Sequence, residues 1–171
     1  LGVGEHAQDL ADGDAVLVYV TSPGDALPRL LRGLRQRFVC YRFNREGFDQ
    51  TLQFKRPGRA EFLNDLRAAR AVMGNAGWSL ISEALHLGKP YLAWPVKGQF
   101  EQVFNAWYVE KAGYGVFGED LQKEKVESFL SRLGDYRKNL AGYPREGNGA
   151  LFAKLDELVE EFAGPDAPPD P

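Results

Sequence analysis

The sequence predicts an α/β fold, a Rossmann-like doubly wound parallel sheet with helices on both faces. Three observations carry that expectation. Short apolar runs of β-forming residues recur at 15–20, 37–43, 50–54, 71–73, 91–94 and 114–117. Unbroken apolar runs of this length fit strands buried on both faces, as in parallel sheets. Segments of helical character separate most of the runs, and Gly or Pro stands at the junctions, the pattern of βαβ units.

Each element has its own reason. Ala15-Val16-Leu17-Val18-Tyr19-Val20 is the strongest strand, and Thr21-Ser22-Pro23-Gly24-Asp25 is a turn leading to a helix over 26–34. Pro57-Gly58 breaks the chain before a helix over 60–69. Gly77 precedes a helix running to Leu87, which Gly88-Lys89-Pro90 closes by the Gly-then-Pro order that ends helices. Pro95 stops the next strand, a long helix covers 99–112, and Gly113-Tyr114-Gly115 ends it. Helices over 123–133 and 151–162 complete the domain, which is expected to span 14–162. Residues 1–13 are expected to be a linker, and 163–171, with four prolines, a disordered tail.

Composition narrows the class. The chain of 171 residues is 44% hydrophobic and 26% charged, the balance of a globular domain. A net charge of −3 argues against a general nucleic-acid binder. The single cysteine, Cys40, sits in the apolar run Phe38-Val39-Cys40-Tyr41 and is expected to be a buried small hydrophobe. With no internal disulfide available and no signal peptide visible, a reducing, cytoplasmic setting is expected. No apolar run approaches the ~20 residues that span a bilayer.

In doubly wound sheets ligands bind beyond the carboxyl ends of the strands. That rule selects the loops 21–24, 74–79 and 95–99. Gly74-Asn75-Ala76-Gly77-Trp78-Ser79 joins a strand end to a helix start. The free N–H groups and positive dipole end of the helix suit a phosphate, and Ser79 adds a hydroxyl. Glu83 lies one turn on along the same face, where a carboxylate suits ribose hydroxyls. Taken alone, the segment also reads as an ordinary glycine turn before a helix, and His86 as a solvated surface residue. In the helix over 99–112, Glu101, Gln102 and Asn105 share a face. Such a carboxylate-and-amide set suits a polyhydroxyl ligand, or forms a solvated face.

Together the two segments are specific. The order Gly74-Asn75-Ala76-Gly77-Trp78-Ser79-Leu80-Ile81-Ser82-Glu83, Gly88-Lys89-Pro90, Pro95, Gln99-Phe100-Glu101-Gln102, Asn105-Ala106, Gly113-Tyr114-Gly115 resembles the C-terminal, donor-binding half of GT-B glycosyltransferases. It is similar to the UDP-glycosyltransferases and the lipid-I N-acetylglucosaminyltransferases. The resemblance implies that Ser22, Ala76, Gly77, Trp78 and Ser79 hold the donor diphosphate and Glu83 the ribose. It implies that Gln53, Phe54 and Lys55 pack the base, and that Gln99, Glu101, Gln102 and Asn105 reach the donor sugar, with Asn105 alternatively supporting that helix or reaching the phosphates. It further implies a nucleotide sugar as donor substrate, with UDP expected, and neither metal nor cofactor. The bulky Trp78 and the Glu101-Gln102 pair depart from many members and leave the sugar open.

The expected function is therefore the donor half of a hexosyl- or N-acetylhexosaminyltransferase. Its catalytic base would come from an N-terminal acceptor domain, in the same or a partner chain, so this chain alone is expected not to turn over. A start at Leu1 favours a part of a longer protein. A non-catalytic nucleotide-sugar-binding subunit and half of a UDP-sugar epimerase remain as alternatives. A Rossmann oxidoreductase is disfavoured, because Thr21-Ser22-Pro23-Gly24-Asp25-Ala26 lacks Gly-x-Gly-x-x-Gly. Arg42, Arg45, Lys55, Arg56 and Arg59 either draw in an anionic donor, contact an anionic membrane surface peripherally, or form a solvated face.

Overall fold

The computed structural model describes residues 13–21, 23–56, 58–145 and 149–162. The expected linker, apart from Gly13, and the expected tail lie outside the described residues, as do Ser22 and Pro57. The elements run β1 Val16–Tyr19, α1 Ala26–Arg32, β2 Phe38–Tyr41, β3 Gly47–Asp49, β4 Leu52–Lys55, α2 Arg59–Ala68 and β5 Ala71–Gly74. They continue with α3 Trp78–His86, β6 Tyr91–Ala93, α4 Phe100–Lys111, β7 Gly115–Phe117, α5 Lys123–Ser131, α6 Leu133–Leu140 and α7 Gly149–Phe162.

These strands form one sheet in the order β3-β4-β2-β1-β5-β6-β7. All pairs are parallel except β3 with β4. The chain starts in the middle, steps outward through β2 and β4, then returns to the other side of β1 through β5. That reversal between β1 and β5 is the topological switch point, where α/β sheets open a crevice.

Strand alternation builds the two halves of the core. Val16 and Val18 of β1, Phe38 and Cys40 of β2 and Met73 of β5 face a layer made with Leu27 and Leu31 of α1, Phe129 of α5 and Leu133 and Tyr136 of α6. Leu17, Val39, Tyr41 and Val72 point the opposite way, against Leu66 of α2, Ile81 and Leu85 of α3 and Val109 of α4. The period of two thus buries the central strands on both faces. Cys40 is fully buried, and loss of hydration pushes its thiol up to about 12. Among the described residues no helix is long and apolar enough to cross a membrane.

Helix ends follow the punctuation read from the sequence. Gly88, at φ 69°, ends α3, with its N–H on the Leu85 carbonyl and the Lys89 N–H on Ala84. Gly113, at φ 71°, does the same for α4.

Two elements were not expected. β3 is a short edge strand joined to β4 through Gln50 and Thr51, with Gln50 in the left-handed region at φ 56°. This hairpin replaces the helix that a parallel β2-to-β4 crossover would otherwise need. Helix α6 fills part of the stretch between the last two expected helices, burying Leu133, Tyr136 and Leu140.

Candidate functional site

At the switch point the chain is tied together by Asn75. Its Oδ1 accepts from the Thr21 N–H at 2.7 Å and from the Thr21 hydroxyl at 3.0 Å. Its Nδ2 donates to the Trp94 carbonyl at 3.0 Å. Its own carbonyl accepts from the Tyr91 hydroxyl at 2.8 Å. One amide side chain thus holds the loops after β1, β5 and β6 in a single arrangement. Tyr91 is fully buried, and that burial pushes its phenol well above the usual range, so it stays a donor.

Gly74 makes this closeness possible. A Cβ there would stand 2.6 Å from the Tyr19 carbonyl and 2.8 Å from the Tyr91 hydroxyl. At Gly77, by contrast, a Cβ would meet nothing within 4 Å. Gly77 is the N-cap of α3 and supplies no capping side chain. The first-turn N–H groups of Trp78, Ser79 and Leu80 therefore lack helical partners and carry the positive end of the dipole.

Those groups open beside a cavity of about 460 Å3 lined by Tyr19, Thr21, Gly58, Arg59, Phe62, Asn75, Gly77, Ser79, Leu80, Glu83 and Gln102. Its walls differ in chemistry. Ser79 lies at the helix start and Glu83 one turn further. Arg59, the first residue of α2, has no hydrogen bond or ion pair among the described residues. Tyr19 and Phe62 meet edge to face at a centroid distance of 5.4 Å and give an aromatic wall. Gln102 comes from α4, and its Oε1 accepts from the Val96 N–H at 3.0 Å while its Nε2 donates to Gln99. The amide is thereby held across the loop after β6.

The profile of the family described as glycosyl transferase family 1 matches residues 6–134. The chain belongs to that family. UDP-glycosyltransferase 708C1 of Fagopyrum esculentum is 46% identical over 78 residues, covering 42% of this chain and 17% of the relative. An uncharacterized glycosyltransferase of Methanosarcina acetivorans is 44% identical over 50 residues, covering 29% of this chain and 13% of the relative. The matched stretches thus span under a fifth of the length of these relatives. Among solved structures, Os79 from O. sativa in complex with UDP superposes with a TM-score of 0.66 at 20% identity. That match covers 94% of this chain and 43% of Os79. The spinosyn rhamnosyltransferase SpnG, complexed with thymidine diphosphate, gives a TM-score of 0.68 at 16% identity, covering 91% of this chain and 48% of SpnG. These likenesses show the C-terminal half of a GT-B glycosyltransferase fold.

Within that glycosyltransferase fold the expected site residues part company. Gly77, Ser79, Glu83 and Gln102 line one cavity. Gln99 supports Gln102, whereas Glu101 is exposed and does not line the cavity. Asn105 is buried and donates to the Ala76 carbonyl at 2.9 Å, so its amide braces α4 against the β5–α3 loop, the supporting role that was one of those expected of it. Ala76 is itself buried, leaving only its backbone near the site. The Trp78 ring is exposed and meets Tyr108 edge to face.

The expected base-binding trio does not line this cavity. Phe54 is buried in the core between Phe43 and the Arg45 guanidinium, which lies 3.7 Å from its ring centroid, so it offers no free face. Gln53 and Lys55 line a separate cavity, and Lys55 pairs with Asp65 at 2.7 Å. Ser22 lies outside the described residues. Tyr19, Phe62 and Asn75 also line the cavity, without having been singled out as site residues from sequence. Asn75 was open to notice, as a polar residue between two glycines at a strand end. Phe62 reads from sequence only as one apolar helix position.

Proposed function

We propose that this domain binds a UDP-sugar donor and, with an acceptor-binding domain, transfers the sugar to an acceptor hydroxyl. The observation that carries the reading is the convergence of α3 first-turn amides, Ser79, Arg59, Glu83 and Gln102 on one cavity at the switch point. The amides of Trp78 and Ser79 would take the diphosphate, with Arg59 as a countercharge. Glu83 would accept from the ribose hydroxyls, and the wall of Tyr19, Phe62 and Gly58 would receive the base. Gln102, fixed by Val96, would reach the donor sugar.

In the transfer step the acceptor oxygen bonds to the anomeric carbon while that carbon's bond to the diphosphate oxygen breaks. The acceptor proton passes to a base on the acceptor-binding domain. The diphosphate gains negative charge as it leaves, and the N-terminal dipole of α3 stabilises that charge before any reorganisation is needed.

Calorimetric titration with UDP tests the reading. Wild-type chain is expected to bind, and Glu83→Ala to weaken binding by about 1–3 kcal/mol, the range for a lost bond to a charged group. Equal affinity in both would remove Glu83 from the site. The isolated chain is expected to show no sugar transfer until a chain carrying the acceptor-binding domain is added.

A further inference from the structure

A second and larger cleft opens on the other side of Thr21, which lines both cavities. It measures about 1170 Å3 and lies beyond the carboxyl ends of β1, β2 and β4. Cationic side chains dominate its lining, with Asp25 the one acid among the lining residues. Most of those cations are already matched. Arg32 and Arg45 share Asp49, at 2.7 and 3.7 Å, Arg56 reaches Glu46 at 3.0 Å, and Lys55 is held by Asp65.

Two guanidiniums differ. Arg29 makes no hydrogen bond or ion pair among the described residues. Arg42 has only a neutral partner, the Tyr19 hydroxyl at 3.1 Å, and leans over the Tyr19 ring at 5.7 Å. Arg42, at φ 69°, occupies the left-handed region that most side chains disfavour, and Asn44, at φ 53°, is a residue type that tolerates it. The cleft also has apolar walls in Pro23, Pro28 and Phe43. Its volume far exceeds that of one small anion, so there is room for a carbon body beside the charge.

We infer that this cleft, together with the acceptor-binding domain, holds the acceptor through a phosphate group, with Arg29 and Arg42 on the phosphate and Pro23, Pro28 and Phe43 against the attached carbon body. Guanidinium forks match phosphate oxygens with paired, charge-assisted hydrogen bonds. The inference rests on the neighbouring cavity being the donor site, because the shared Thr21 wall would then set acceptor beside donor.

The test titrates phenyl phosphate and inorganic phosphate into the chain saturated with UDP, following backbone amide signals by NMR. Both probes are expected to shift Gly24, Arg29 and Arg42 saturably. Phenyl phosphate should half-saturate at a concentration at least ~5-fold lower, because apolar contact adds to the ion pair. Arg29→Gln should weaken phenyl phosphate binding by ~10-fold, the loss of a charge-assisted bond, and leave UDP affinity unchanged. Arg42→Gln should weaken it similarly.

Absence of saturable shifts in this cleft would overturn the inference, as would wild-type affinity in both variants. Equal affinity for the two probes would mean a site for the free anion and would overturn the acceptor assignment. The same titration without UDP reads the cleft alone. Failure of UDP to bind while phenyl phosphate still does would thus indict the donor reading and not the anion site.

Discussion

Gly74 and Gly77 stand three positions apart at the same strand-to-helix junction, yet they serve opposite needs. Gly74 is buried, and any side chain there would strike the Tyr19 carbonyl and the Tyr91 hydroxyl. Gly77 faces open space at the start of α3. The first glycine lets the protein close upon itself; the second leaves the start of α3 open beside the cavity. Identical residues in one short motif can thus answer to tight packing on one side and to open space on the other.

Substitutions sharpen or break that contrast. The largest expected effect is on folding. Gly74→Ala should lower stability by about 3 kcal/mol, the upper range for overpacking a site whose neighbours include backbone, read from urea unfolding. A loss below about 0.5 kcal/mol would mean that the junction yields easily. Asn75→Ala removes the acceptor for two Thr21 groups and the donor to Trp94. It should cost about 2 kcal/mol of stability and weaken UDP binding as well, because the β1 loop loses its anchor.

Gly77→Thr keeps a residue that caps helices as well as glycine does, so stability should hold within about 0.5 kcal/mol. Its side chain enters the cavity, and UDP affinity should fall about 10-fold, or 1.4 kcal/mol. A variant that binds UDP as wild type does would place the ligand elsewhere. The smallest effect is expected from Tyr91→Phe, which leaves the Asn75 carbonyl short of one buried partner. About 1 kcal/mol of stability should be lost, with UDP binding little changed.

Much of the fold was legible because its central strands are buried on both sides. Val16, Leu17 and Val18, or Phe38, Val39 and Cys40, have no solvent face, so apolar character runs unbroken and marks the strand. Helix ends were legible where Gly88 and Gly113 must take positive φ. β3 escaped because an edge strand needs no such run: Gly47 and Phe48 are exposed. Helix α6 escaped behind Gly134, Asp135 and Asn139, although Leu133, Tyr136 and Leu140 carry a helical spacing. In the site, the residues of α3 that line the cavity could be read, because one helical face and one loop suffice to place Gly77, Ser79 and Glu83. The aromatic wall could not. Tyr19 and Phe62 meet only through the sheet order, and Phe54, which looked available, was drawn into the core by alternation along β4.

Cys40 is the only sulfhydryl in the sequence, and it lies at the centre of the sheet with its thiolate strongly disfavoured. A coloured thiol reagent should therefore label it only when β2 parts from its neighbours, which makes the labelling rate a clock for the rarest opening of the domain. Comparing that rate with and without a bound nucleotide would tell whether occupancy at the rim is felt in the interior.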